Sequence, residues 1–199
     1  QQDIITSLSQ NGYLKRLPVD TYKVQNRGGV GVIGVTIHDD DDIRKIIYTN
    51  THVDLLFFTN KGKVYKTRAY QIVEGSRTSK GQPAQNYIDI AKADPNSKDN
   101  ELVLDLLPIK DYNSNDYIIL CTKKGVIKKT KLSEFESIHK NGKIAISLRD
   151  GDELLSAVIT NGQKEVLLSS SNGYAVRFNE NDIRPMGRNA SGVRGMRLG

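Results

Sequence analysis

The alternation of apolar and polar positions along this chain runs through the same cycle four times. Each copy opens on a nearly continuous apolar run, turns at a glycine, and resumes in a strand that passes from apolar to basic. Leu55 to Thr59, the turn Asn60-Lys61-Gly62 and Lys63-Val64-Tyr65-Lys66 make one copy. Ile118 to Thr122, Lys123-Lys124-Gly125 and Val126-Ile127-Lys128-Lys129 make another. Val166 to Leu168, Ser171-Asn172-Gly173 and Tyr174 to Arg177 make the last, and Ile4 to Leu8, Asn11-Gly12 and Tyr13-Leu14-Lys15-Arg16 the first. Short apolar runs split by glycine turns predict β-hairpins. Asn-Gly is favoured in hairpin turns whose two central residues both take positive φ. The strand before each turn is apolar on both faces, so it is expected to be covered on both. In the strand after the turn, alternate residues share a face, so the apolar residue packs inward and the cation two further on reaches past the edge of the core.

The register extends beyond the hairpin. Counted from Gly12, Gly62, Gly125 and Gly173, the second residue is apolar (Leu14, Val64, Ile127, Ala175) and the fourth a cation (Arg16, Lys66, Lys129, Arg177). The tenth is a large apolar residue (Tyr22, Ile72, Phe135, Ile183) and the fifteenth a second cation (Arg27, Arg77, Lys140, Arg188). A further glycine closes each copy, at Gly31, Gly81, Gly142 and Gly192. With 29 basic residues in 199, a chosen offset is basic in all four copies by chance roughly once in two thousand. Two such offsets bracketing a shared apolar position therefore mark a true repeat. The copies start 50, 63 and 48 residues apart, the long interval holding the polar stretch Ala91 to Asn100. This period suits blades of about four strands around an axis. Helical periodicity is absent apart from one turn over Ser133 to Ile138. The reading is one all-β domain over residues 1–199, with units at roughly 1–50, 51–110, 111–160 and 161–199.

Charge sharpens the picture. The net value of +6 is modest, but segments 11–31, 60–81, 121–143 and 173–199 hold 22 cations and 6 acids, against 7 and 17 elsewhere. Such segregation creates a local field that attracts a polyanion. The competing reading, lysines that block strand edges from pairing, does not require the cations to keep register.

Other chemistries find little support. The single cysteine, Cys121, lies in an apolar run, allows no disulfide within the chain and reads as a buried thiol in a reducing cytoplasm. No run of about 18 apolar residues could span a membrane. His38, His52 and His139 are isolated, Asp39 to Asp42 lacks the spacing of a calcium loop, and no phosphate-binding Gly-x-x-x-x-Gly-Lys-Ser/Thr occurs. Catalytic residues, a metal site and a cofactor are accordingly not expected in this chain.

The segment Gln25-Asn26-Arg27-Gly28-Gly29-Val30-Gly31, preceded by Gly12 to Pro18, resembles the signature box of the C-terminal domain of the DNA gyrase A subunit, whose pattern is Gln-Arg-Arg-Gly-Gly-Lys-Gly. Gln25, Arg27, Gly28, Gly29 and Gly31 match, whereas Asn26 and Val30 each replace a cation. The likeness extends over essentially the whole chain, including Phe57 to Gly62, Asn141 to Ser147 and Ile183 to Arg188. It implies a β-pinwheel, a propeller-like disc of about six blades whose neighbours exchange strands. Four units are then expected to form a truncated version, an open arc or one that exchanges strands between molecules. The resemblance further implies that duplex DNA wraps around a basic rim without sequence preference. Strand passage by the parent type II topoisomerase is thereby directed towards negative supercoiling, in the bacterial cytoplasm. The implied partners are duplex DNA, the rest of the gyrase A subunit, which links it in turn to the gyrase B subunit. ATP, Mg²⁺ and the cleaving tyrosine are implied for other parts of the enzyme. The alternatives are the corresponding domain of topoisomerase IV, serving decatenation, and a propeller scaffold that binds proteins.

The candidate DNA contacts fall into two registers, Arg16, Lys66, Lys129 and Arg177 in the first and Arg27, Arg77, Lys140 and Arg188 in the second. Lys63, Lys128 and Arg194 are added as secondary positions. Gln25, Gly28, Gly29 and Gly31 enter through the box, where glycines let the backbone approach phosphate and donate its amides.

Overall fold

The computed structural model describes residues 1–19 and 41–198. Its architecture is all-β, with strands β1 (Asp3–Ser9), β2 (Tyr13–Pro18), β3 (Ile43–Asn50), β4 (Asp54–Thr59), β5 (Lys63–Arg68), β6 (Gln82–Pro83) and β7 (Val103–Ile109). They are followed by β8 (Tyr117–Thr122), β9 (Val126–Lys131), β10 (Lys143–Ile144), β11 (Leu154–Thr160), β12 (Glu165–Ser169), β13 (Ala175–Asn179) and β14 (Val193–Arg194). Among the described residues these strands form four antiparallel sheets, ordered β3-β1-β2-β6, β10-β5-β4-β7, β11-β8-β9-β14 and β12-β13.

Each sheet is built on one of the hairpins expected from the repeat. The turn differs from the expected pair of positive-φ residues. Gly12, Gly62, Gly125 and Gly173 have φ of 83°, 73°, 81° and 88°, and no described non-glycine residue has positive φ. Each of these glycines donates its N–H to the residue three before it, Ser9, Thr59, Thr122 or Ser170. This is a tight turn followed by a single left-handed glycine, the three-residue hairpin with a glycine bulge. The preceding Asn or Lys is spared the left-handed conformation that a side chain disfavours.

The third strand of each four-stranded sheet follows its hairpin in the chain, but the fourth comes from the next unit. The strand β6 lays Gln82 and Pro83 against Leu14 and Tyr13. The strand β10 pairs Lys143 and Ile144 with Val64 and Lys63, and β14 pairs Val193 and Arg194 with Ile127 and Val126. The closing glycine stands just before each donated pair because no side chain fits there. A Cβ on Gly81 would lie 2.3 Å from the Leu14 carbonyl oxygen, and one on Gly192 2.6 Å from that of Ile127. At their other edge the sheets converge, with β7 packed against both β3 and β11. Asp105 on β7 ties these strands, accepting from Lys45 Nζ and from the Ala157 N–H. The donated strands therefore lie on the outer side of the array.

The core occupies the layers between sheets. Along β4, Leu55 and Phe57 join Ile4, Leu8, Leu14 and Ile72, while Leu56 and Phe58 join Ile118, Leu120, Phe135 and Ile146. Successive side chains on one strand thus serve opposite layers, which is why the run before the turn is apolar throughout; β12 departs from the expected two-sided cover, with Leu167 exposed. Phe57 and Phe58 are fully buried, each burial being worth roughly 1.5–3 kcal/mol. Ile119, Ile127 and Ile183 begin a third layer towards β12 and β13. Cys121 is half-buried and forms no disulfide, with burial raising its thiol pKa. The expected turn of helix over Ser133 to Ile138 is a 3₁₀ turn at Leu132–Phe135.

Candidate nucleic-acid interface

The two expected registers of cations meet different fates. The first lies on the seam where the next unit's chain crosses the strand. The Arg16 N–H donates to Val73, the Lys66 N–H to His139, and the Lys129 carbonyl accepts from Met186. At Arg16, Lys66 and Lys129 the incoming chain covers the side chain, whereas Arg177 stays exposed, and every member of the register has a carboxylate partner. Arg16 pairs with Glu74 at 3.9 Å, Lys66 with Asp54 at 3.4 Å, Lys129 with Glu180 at 3.6 Å and Arg177 with Glu165 at 3.7 Å. Glu165 and Arg177 sit diagonally on the hairpin, as do Asp54 and Lys66. Lys129 takes the same diagonal to Tyr117, its Nζ lying 4.5 Å from the ring centroid.

Two residues leave the candidate set for a plain steric reason. Lys129 is 2 % exposed and Lys128 is fully buried. Lys128 points to the opposite face of β9, where its Nζ donates to the carbonyls of Ala145, Gly187, Arg188 and Ala190. Burial lowers its pKa to about 8, the Arg188 charge also lowering it while Glu134 opposes the shift. Neither lysine can meet a phosphate in the folded chain. Lys66 is largely covered, and Arg177 is open on an exposed pair.

The second register sits on the outer loops that lead into the donated strands. Arg77 is half-buried in the loop 75–81, Lys140 is exposed in 139–142, and Arg188 is half-buried in 187–192. Gln25, Arg27, Gly28, Gly29 and Gly31 fall outside the described residues. The outer loops touch in sequence. The Asp89 N–H, in the segment after β6, donates to the Lys140 carbonyl. Ser147, after β10, donates through its N–H to Ala190 and through its hydroxyl to Asn189. Arg188 Nη1 reaches the Ile144 carbonyl at 3.1 Å, and Arg149 Nη2 that of Gly192 at 3.2 Å. Lys63 and Arg194 are exposed at the donated-strand pairings.

Sequence reasoning missed several cations on this side. Lys80 stacks 4.4 Å from the Tyr13 ring centroid, and Lys143 is exposed on β10. Both flank a closing glycine, a signal open to inspection. Arg68 joins Lys66, His139 and Lys140 around a cleft of about 780 Å³ whose wall includes Asp54. Asp54 is held by Arg68 at 3.1 Å, by Lys66 and by the Tyr112 hydroxyl at 2.8 Å. Burial and this bond to a carboxylate raise the Tyr112 pKa. Lys15 was also missed, buried three residues after Gly12 as Lys128 is after Gly125.

Among the described residues, no group of three or more His, Cys, Asp or Glu side chains is arranged to hold a metal ion. No helix among them is long and apolar enough to cross a membrane. The arrangement is a basic outer side assembled loop by loop, over a core that repeats.

The family described as DNA gyrase C-terminal domain, beta-propeller, matches residues 3–50, 54–110, 116–161 and 164–199. The chain belongs to this family. It is 51% identical over 197 residues to the DNA gyrase A subunit of Ureaplasma parvum, covering 99% of this chain and 22% of that protein. It is 43% identical over 199 residues to the DNA gyrase A subunit of Staphylococcus aureus strain MRSA252, again covering 22% of the relative. Among solved structures, a DNA gyrase A C-terminal domain superposes with a TM-score of 0.71 at 32% identity, covering all of this chain and 61% of that one. The C-terminal domain of a DNA topoisomerase IV superposes with a TM-score of 0.81 at 28% identity, covering 58% of that chain. The chain thus spans less than a quarter of the curated relatives' length. The β-pinwheel expected from the box is the fold of this gyrase C-terminal domain.

Proposed function

We propose that this domain binds duplex DNA without sequence preference along its outer side and bends it into a wrap. As part of the gyrase A subunit, working with the gyrase B subunit in the bacterial cytoplasm, it biases strand passage towards negative supercoiling. The observation that carries this reading is the line of outer loops, joined by hydrogen bonds from unit to unit, which presents Lys80, Lys140, Lys143, Arg188 and Arg194. Bending 20–30 bp by 40–90° costs of order 1–6 kcal/mol, so a row of phosphate contacts is needed where a single one is too weak. Phosphate contacts fix position without reading bases, and each releases counterions, which makes affinity fall steeply with salt. Strand cleavage, ATP and Mg²⁺ are assigned to the remainder of the parent enzyme.

Gyrase is favoured over topoisomerase IV by sequence, since the 43% and 51% relatives are gyrase subunits, whereas the fold superposes on both. The test is binding to linear duplexes of unrelated sequence over a range of salt. Equal affinities that drop together as salt rises are expected, and tight binding indifferent to salt would sink the reading. In the full-length parent, relaxed plasmid should gain negative supercoils. Efficient decatenation without supercoiling would assign the domain to the other enzyme.

A further inference from the structure

We propose that Lys15 and Lys128 are positioning residues, each a buried plug that turns the next unit's outer loop inside out so that its amides and a neighbouring cation face a DNA phosphate. The inference rests on the DNA-binding reading above and adds the device that shapes the contact. Lys15 Nζ donates to the carbonyls of Ser76, Arg77 and Ser79 at 3.3, 2.9 and 2.8 Å. Lys128 Nζ donates to those of Gly187, Arg188 and Ala190 at 3.0, 2.6 and 3.3 Å, and to Ala145 at 2.5 Å. Lys15 is 3 % exposed, and neither ammonium forms an ion pair with a carboxylate among the described residues. Main-chain carbonyls, all but that of Ala145 from the following unit, therefore solvate a charge that is costly to bury.

The consequence follows from peptide geometry. In a trans peptide the carbonyl and the next residue's N–H point in opposite directions, and no described peptide is cis. Carbonyls drawn inward from Arg77 and Ser79 turn the N–H groups of Thr78 and Lys80 outward. Carbonyls of Gly187, Arg188 and Ala190 do the same for the N–H groups of Arg188, Asn189 and Ser191. None of these five N–H groups has a main-chain acceptor among the described residues. Outward amides in a tight loop form a concave anion site, beside Lys80 in one loop and Arg188 in the other. The two loops span equal lengths between their anchors, Gly75 bonding to Arg16 and Gln82 pairing with Leu14 as Met186 bonds to Lys129 and Val193 pairs with Ile127.

The unit between them is an internal control. Its loop, 139–142, is shorter, and the plug position holds Tyr65, whose hydroxyl donates to Glu101 while Gly142 lies against its ring. Lysine occurs where the longer loop needs its carbonyls gathered.

The test compares Lys128→Met, Arg188→Ala and the double variant of the 199-residue chain for affinity to a linear duplex at one salt concentration, with a melting curve to establish folding. Lys128→Met is expected to weaken binding about tenfold in the wild-type background and less than about twofold once Arg188 is gone, because coupled residues are not additive. Additive losses, or a folded Lys128→Met chain that binds as wild type does, would overturn the proposal. Lys15→Met, with Lys80→Ala in place of Arg188→Ala, applies the same criterion should Lys128→Met fail to fold. A wild-type chain that shows no salt-sensitive duplex binding would instead refute the DNA-binding reading itself.

A pH profile adds a readout that a purely structural plug would not move. As pH rises through about 8, Lys128 loses its proton, and a neutral amine donates to two carbonyls at most. The charged groups facing it are Glu134, from the turn after β9, and Arg188, from the loop. Duplex affinity of wild type relative to Lys128→Met is expected to fall between about pH 7.5 and 9. A ratio that stays level across this window would overturn the loop-shaping role.

Discussion

The seam and the outer loops of this molecule carry the same residue types at the same regularity, yet they serve different ends. On the seam, Lys129 and Glu180 form a pair with side-chain exposures of 3% and 0%. On the outer loops, Lys140 and Lys143 stand in solvent a few residues from the same kind of backbone crossing. Periodic positive charge is thus not by itself a binding surface. The recurring cation finds an internal carboxylate in every unit, from its own hairpin at Lys66 and Arg177 and from the next unit at Arg16 and Lys129, because stacked units bury surface against their neighbours.

Four measurements would break or sharpen that contrast. The largest effect is expected from Glu180→Ala. It strands Lys129 in the interior and removes the acceptor of the Thr160 hydroxyl and the Lys164 N–H. A loss of about 3–5 kcal/mol in urea unfolding is expected, and a loss below about 1 kcal/mol would show the seam pair to be ornamental. Gly81→Ala comes next, since φ is 88° and the new Cβ would strike the Leu14 carbonyl. Left-handed strain alone costs of order 1–3 kcal/mol, and stability unchanged by this variant would mean that β6 detaches freely from β2.

Arg177→Ala removes an exposed pair with Glu165, whose side-chain exposures are 69% and 60%. Its unfolding free energy should change by about 0–1 kcal/mol, and a larger change would place the pair with the buried seam. The smallest stability effect belongs to Lys140→Ala with Lys143→Ala, within about 0.5 kcal/mol. That double variant should nevertheless lower the slope of log affinity against log salt by about one for each cation. An unaltered slope would remove the outer loops from the interface.

Stability and binding should also part company with pH. Burial lowers the Lys128 pKa below its usual 10.5, so between about pH 8 and 10.5 the unfolded chain holds a proton that the folded chain has shed. Stability then rises with pH over this window by linkage, and the penalty for burying the ammonium is present in full below it. The loop-shaping role runs the other way, weakening as the amine becomes neutral.

The hairpins were legible because their determinants are local. A glycine at the turn, an apolar run before it and an alternating strand after it lie within a dozen residues of Gly62, and likewise around the other three turn glycines. The burial of Ile72, Phe135 and Ile183 followed the same register. The closing glycines were seen as a repeat, but their cause was not, since Gly81 is small on account of Leu14 and Gly192 on account of Ile127. The fate of the cations was hidden for the same reason. Lys15 meets Ser76 and Arg77, and Lys128 meets Gly187 and Arg188, about one unit further along the chain. Offset counting sees that a lysine recurs; it does not see which face the next unit covers.

By itself, the amino-acid order determined the number of hairpins, the turn glycines, the apolar faces of the strands in the first three units and the family likeness. These follow from steric and hydrophobic rules that act between near neighbours. Tertiary structure alone decided which lysines are ammonium plugs, which are seam pairs and which look out at solvent. That choice depends on a strand handed over from the following blade, and burial is a property of the assembled blades that no single segment carries.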